Sequence, residues 1–157
     1  GPVLADLVRR AVQVKADVVS RDFREETATS GSGRIGREVL NYGHTFGHAV
    51  EHVEDYRWRH GHAVAVGMVY VAELARLGGY LDDAAADLHR EVLGLLGLPT
   101  SYPAGNWDRL VGAMAVDKKA RGGTLRFVVL EGIGRPVNWN GPEPSLLRAA
   151  YDAVSRG

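Results

Sequence analysis

Over about residues 3–19 apolar side chains return every three or four positions, at Leu4, Leu7, Val8, Val12, Val14 and Val18. That period predicts an amphipathic helix with Arg9, Arg10 and Lys15 off its buried stripe. A polar stretch follows, and its segment Thr27-Ala-Thr-Ser-Gly-Ser-Gly33 has the composition of a surface loop reaching to Gly36. Helical periodicity returns over about 37–53, 61–77 and 82–96, with turn signals at Gly78-Gly79 and Gly97-Leu98-Pro99 between them. Asn106 and Asp108 suit the start of another helix, to about 116. Gly122-Gly123 opens the one clear strand pattern, 125–130, with a weaker partner at 136–139, and a last helix fits 144–154. No internal repeat is visible. The expected fold is mainly α: one helical domain over 3–157 with a small β-hairpin near 124–139.

Composition narrows what such a domain could do. The chain has 157 residues, of which 45% are hydrophobic, enough for a core in one domain. Nineteen Lys and Arg balance nineteen Asp and Glu, so there is no general electrostatic case for nucleic acid or an anionic membrane. With no cysteine there is no disulfide framework, thiolate metal site or cysteine nucleophile, and any metal must rest on His and carboxylates. The apolar stretch 63–75 is interrupted by Gly67 and Glu73 and is too short to span a bilayer. No signal peptide pattern is present, so a cytoplasmic protein is the expectation. Gly1-Pro2 resembles the scar of a cleaved tag ahead of a helix that starts at once, as in a piece of something larger.

The chemistry concentrates between positions 44 and 62, in Asn41-Tyr-Gly-His44-Thr-Phe-Gly-His48-Ala-Val-Glu-His52 and His60-Gly-His62. On a helix, His44 and His48 share a face within reach of one ion or substrate. Arg37 and Asn41 would extend that stripe if the helix is continuous. The residues between Val53 and His60 could span roughly 20 Å when extended, enough for His60 to double back over the histidine pair. A histidine pair at helical spacing is ordinarily a surface or core feature. Further imidazoles nearby and the adjoining Gly43, Gly47 and Gly61 shift the reading towards a site, because glycine costs a helix about 1 kcal/mol against Ala and its use suggests a close backbone approach. His52 and His89 read as solvated residues, and Trp58, Trp107 and Trp139 as packing residues.

The run Leu40-Asn-Tyr-Gly-His-Thr-Phe-Gly-His-Ala-Val-Glu51, followed by His60-Gly-x-Ala-Val-Ala-x-Gly-Met68, resembles the C-terminal domain of the 3-dehydroquinate synthase family. The resemblance extends from Val12-x-x-Lys-Ala-Asp-Val-Val19 through Asp117-Lys-Lys119 to the 125–130 segment, nearly the whole chain. It implies an enzyme that uses NAD and a divalent metal, Zn2+ or Co2+, to convert 3-deoxy-D-arabino-heptulosonate 7-phosphate into 3-dehydroquinate in the shikimate pathway. The family's NAD-binding half precedes this domain, and no Gly-rich dinucleotide fingerprint occurs here, so the isolated domain is expected to be inactive. The resemblance makes His44 and His60 metal ligands, His48 a proton-transfer residue, and Lys15, Arg37 and Asn41 substrate contacts. Lys118 or Lys119 would hold the phosphate or its neighbouring groups. The family's third ligand, a glutamate, lies upstream of this chain, and without it metal binding is expected to be weak.

The implied chemistry suits these residue types. Alcohol oxidation and ketone polarisation call for a Lewis acid, the later steps for proton movement by an imidazole of near-neutral pKa, and the phosphate and carboxylate of the sugar acid for cations. Two positions depart from the family pattern. An acidic proton-transfer residue about ten positions after Lys15 would be Glu25, with Glu26 adjacent, but the Ser/Gly-rich stretch adds about eight residues before Arg37 and leaves the choice open. His62 stands where the family has Glu or a small residue and offers a stray ligand. Without the resemblance, Lys15 reads as a snorkelling side chain and Asp117-Lys-Lys-Ala-Arg121 as a solvated helix end.

The resemblance also implies a homodimer of the full-length enzyme and a phosphorylated sugar acid as its ligand. The rivals are another sugar phosphate cyclase (aminodehydroquinate, 2-deoxy-scyllo-inosose or 2-epi-5-epi-valiolone synthase), a metal-dependent alcohol dehydrogenase of the same superfamily, and a noncatalytic helical interaction domain.

Overall fold

The computed structural model describes residues 41–132 and 134–156. In chain order the described elements are α1 (His44–Val53), α2 (His60–Leu77), α3 (Asp83–Leu95), α4 (Trp107–Ala120), β1 (Arg126–Leu130), β2 (Pro136–Asn140) and α5 (Pro144–Arg156). The two strands form an antiparallel hairpin pairing Arg126 with Asn140 and Leu130 with Pro136. The mainly helical architecture and the single hairpin agree with the pattern in the sequence. The helix expected over 3–19 and the loop to Gly36 lie outside the described residues.

Helix α2 is the centre of the domain. Twelve of its eighteen residues are buried, which explains its near-continuous apolar sequence. It touches α1, α3, α5 and β1. Phe46 of α1 stacks on Tyr70 of α2, with ring centres 4.0 Å apart and planes 6° from parallel. Tyr102 and Tyr151 close around Phe46 from two further directions, and Trp58, Trp107 and Trp139 pack against the same core. The buried phenols find partners, Tyr70 donating to the Leu147 carbonyl at 3.0 Å and Tyr102 to Glu54 at 2.7 Å. Glu73 is the buried carboxylate of α2, and Arg76 and Arg90 converge on it. Arg90 also donates to the carbonyls of Thr100 and Ala153, so one ion cluster ties α2, α3 and α5 together. Two partners are what a carboxylate taken out of water requires.

Helix boundaries differ from the sequence pattern where local chemistry intervenes. Asp82 caps α3, its carboxylate accepting from the Ala85 amide at 2.8 Å. Helix α4 runs on to Ala120, and Asp117, Lys118 and Lys119 occupy its last turns, where cations suit the helix dipole. The larger difference is at the start of α1. Gly43 has φ +79°, in the left-handed region that glycine enters without penalty, and helix begins only at His44. Asn41 therefore does not continue the His44–His48 stripe as it would on an unbroken helix.

His89 corrects a second expectation, for it is half-buried rather than solvated. Its Nδ1 lies 2.8 Å from the Ala85 carbonyl, which can only accept, so Nδ1 carries the proton. Nε2 then accepts from the Tyr42 hydroxyl at 2.8 Å. Burial lowers the His89 pKa from its ordinary 6.5, against smaller opposing effects of the Ala85 bond and the charge of Glu73. The sign follows from proton linkage: the unfolded chain binds the proton more readily, so this contribution is whole above pH 6.5 and is lost as pH falls through the lower folded value. Unfolding free energies measured across that range should fall less steeply in His89→Gln than in the parent. Identical slopes would rule the residue out as the source.

Candidate metal centre

Helix α1 is two-faced. Phe46, Gly47, Ala49, Val50 and Val53 face the core, and His44, His48 and Glu51, at offsets of zero, four and seven, share another face. What brings His60 to that face is the crossing of α1 over the first turns of α2. Gly67 sits so close that an added Cβ would lie 1.9 Å from the Gly43 carbonyl oxygen and 3.0 Å from the Gly47 amide nitrogen. A Cβ on Gly43 would fall 2.7 Å from the Met68 amide nitrogen, and one on Gly47 would sit 3.1 Å from the Ala63 carbonyl oxygen. Thus Gly43 and Gly47 approach the neighbouring helix, as their position beside the histidines suggested. Gly61 has open space around it, and no packing reason explains it.

The result is a cluster of three imidazoles. Ring centres of His44 and His48 are 5.2 Å apart, those of His44 and His60 5.6 Å, and those of His48 and His60 6.2 Å. Two imidazoles on one tetrahedral ion, at Zn–N distances of about 2.0–2.1 Å, hold their ring centres roughly 5 Å apart. The His44–His48 and His44–His60 pairs both come near that requirement, and imidazole suits zinc and cobalt alike. Among the described residues no group of three or more His, Asp or Glu side chains is disposed to hold a metal ion. His62 does not complete the set, because two residues along α2 turn its side chain about 200° from that of His60.

Glu51 belongs to the same sequence motif, and its role becomes visible only in the fold. Its carboxylate accepts from Nδ1 of His60. The signal was the spacing, a carboxylate three residues after His48 and seven after His44. Thr45 donates its hydroxyl to the Arg126 carbonyl at 2.9 Å, which brings the start of β1 beside the cluster. Lys118 and Lys119 are exposed near the end of α4, before the loop that leads to that strand. His52 is exposed, with its ring against Tyr56. Asn41 is exposed in the turn before Gly43. Lys15, Glu25 and Arg37 lie outside the described residues. No helix among the described residues is long and apolar enough to cross a membrane.

Residues 1–120 match the family described as 3-dehydroquinate synthase C-terminal. The 3-dehydroquinate synthase of Nocardia farcinica is 58% identical over 156 residues, which are 99% of this chain and 40% of that protein. That of Streptomyces coelicolor is 52% identical over 154 residues, 98% of this chain and 40% of its own length. The chain thus spans about 40% of the length of the curated relatives it matches. Among solved structures, 2-epi-5-epi-valiolone synthase from Streptomyces hygroscopicus, with NAD+ and Zn2+ bound, aligns with a TM-score of 0.67 at 30% identity, covering 73% of this chain and 32% of that one. A 2-deoxy-scyllo-inosose synthase complexed with carbaglucose-6-phosphate, NAD+ and Co2+ aligns with a TM-score of 0.63 at 25% identity, covering 77% of this chain and 35% of that one. The histidine motif, the helical fold and the match over most of the sequence lead to one conclusion: the chain belongs to the 3-dehydroquinate synthase C-terminal family.

Proposed function

We propose that this chain is the metal- and substrate-binding domain of a 3-dehydroquinate synthase, a lyase that converts 3-deoxy-D-arabino-heptulosonate 7-phosphate into 3-dehydroquinate and phosphate. The observation that carries the reading is the meeting of His44, His48 and His60 at ring separations of 5.2–6.2 Å, in a chain 58% identical to a synthase of that name. His44 and His60 hold the divalent metal, Zn2+ or Co2+, with a third ligand from the part of the enzyme that precedes this domain. The metals of the two solved relatives support that assignment. When bound, the ion supplies Lewis acidity at a substrate oxygen.

His48, exposed and adjacent to both ligands, moves the proton between substrate and solvent. Glu25 is a second proton-transfer group. Lys15, Arg37, Asn41, Lys118 and Lys119 bind the carboxylate, hydroxyls and phosphate of the substrate, the cations neutralising its charge. NAD is held by an N-terminal domain, so the domain alone is inactive. The full-length enzyme is a cytoplasmic homodimer that needs neither nucleic acid nor membrane.

Phosphate release by the full-length protein, supplied with NAD and zinc, tests the reading. Release from 3-deoxy-D-arabino-heptulosonate 7-phosphate and not from sedoheptulose 7-phosphate is expected. The reverse preference would assign the domain to another sugar phosphate cyclase. Release from neither, with metal bound, would point to a dehydrogenase or a noncatalytic domain.

A further inference from the structure

Glu51 stands on the histidine face of α1, and the proposed reaction makes no use of it. Its side chain is 13% exposed, whereas that of its partner His60 is 62% exposed. A carboxylate can only accept here, so the contact fixes the proton of His60 on Nδ1 and leaves the lone pair on Nε2, at the opposite side of the ring. His60 is the first residue of α2, where one turn of helix and a solvated side chain do little to fix a ring. An ion pair this open contributes little to folding. Its effect falls instead on the ring's tautomer and direction.

We propose that Glu51 is a positioning residue for the metal centre: it holds His60 in the Nδ1–H tautomer with Nε2 aimed at the ion. This rests on the reading of His60 as a ligand. It distinguishes His60 from His44, whose helix is anchored on both sides by the glycine crossing with α2. Carboxylate partners of ligating histidines orient the ring and raise its basicity, and their removal typically costs about 10–100-fold in metal affinity. Glu51 as a ligand in its own right is the competing role, and the two differ in what glutamine can replace. An amide oxygen accepts from Nδ1–H as a carboxylate does, but it is a poor zinc ligand.

The experiment measures zinc affinity of the full-length protein by chelator competition, for the parent, Glu51→Ala, Glu51→Gln and His44→Ala, with the melting temperature recorded alongside. Glu51→Ala should bind zinc about 10–100-fold more weakly at an unchanged melting temperature of the metal-free protein, and Glu51→Gln should recover most of that loss. Nitrogen-15 NMR of labelled histidine should show the Nδ1–H form of His60 in the parent without zinc, and a shift towards Nε2–H in Glu51→Ala. Affinity unchanged in Glu51→Ala, while His44→Ala abolishes binding, would overturn the positioning role and leave the metal assignment standing. Glu51→Gln falling to the level of Glu51→Ala would overturn it in favour of direct ligation. If His44→Ala also binds zinc as the parent does, the metal assignment itself fails.

Discussion

Replacing Gly67 with alanine is expected to lower stability by roughly 3 kcal/mol, the upper part of the range for forcing a group into a filled core. The added Cβ meets backbone: the Gly43 carbonyl oxygen at 1.9 Å and the Gly47 amide nitrogen at 3.0 Å. Side chains can turn aside, but a carbonyl and an amide on a neighbouring helix move only if the whole of α1 moves. Alanine's better helix propensity returns only about 1 kcal/mol. Because the same contact sets the separation of α1 from α2, the variant should also bind zinc more weakly, as His44 and His60 are carried apart. Urea unfolding followed by tryptophan fluorescence checks the first effect and chelator competition the second. A midpoint equal to that of the parent would show that the two helices separate without cost.

Of the site variants, His48→Ala should lower kcat by about 10²–10⁴-fold, the usual contribution of a positioned acid or base. It should leave zinc bound, because the proposed ligands are His44 and His60. Steady-state phosphate release and zinc titration of the same full-length preparation separate the two roles. Loss of zinc along with turnover would make His48 a ligand, and full activity would remove it from the reaction. His44→Ala gives the contrasting pattern, losing metal first and activity as a consequence.

The period of the apolar residues was enough to place α2, α3, α5 and the hairpin, because a stripe that must be buried repeats with the geometry of its element. It was not enough at Gly43, where the backbone takes a left-handed turn and helix begins only at His44, without any change in polarity. A backbone torsion has no signature in hydrophobic spacing, and the helix expected from Arg37 was therefore drawn through a break. His89 is not legible in the sequence for a related reason: histidine is intermediate between buried and exposed residue types, and only Tyr42 and the Ala85 carbonyl decide between them. The meeting of His44, His48 and His60 was legible in part, from the helical offset and the length of the intervening turn. Glu51 was passed over because its partner is on another helix. Gly67 and Glu73 make the same point from the core. In sequence they merely interrupt an apolar stretch, whereas in the fold one admits a backbone and the other anchors two guanidinium groups.

The long-range bonds of the core converge on α5: Tyr70 reaches Leu147, Arg90 reaches Ala153, and the Tyr102 amide reaches the Val154 carbonyl. Each of those carbonyls is made well after the histidines. A ribosome adding about 5–20 residues per second takes roughly 5–20 s to pass from His60 to the end of α5, on top of the delay in clearing its exit tunnel. During that interval α1 and α2 can meet through their glycines, but Tyr70 still lacks the Leu147 carbonyl and Arg90 that of Ala153. The histidines are thus displayed before the scaffold that fixes them is closed. The final geometry of the histidine face is then timed by the arrival of α5 and not by the synthesis of His44, His48 and His60.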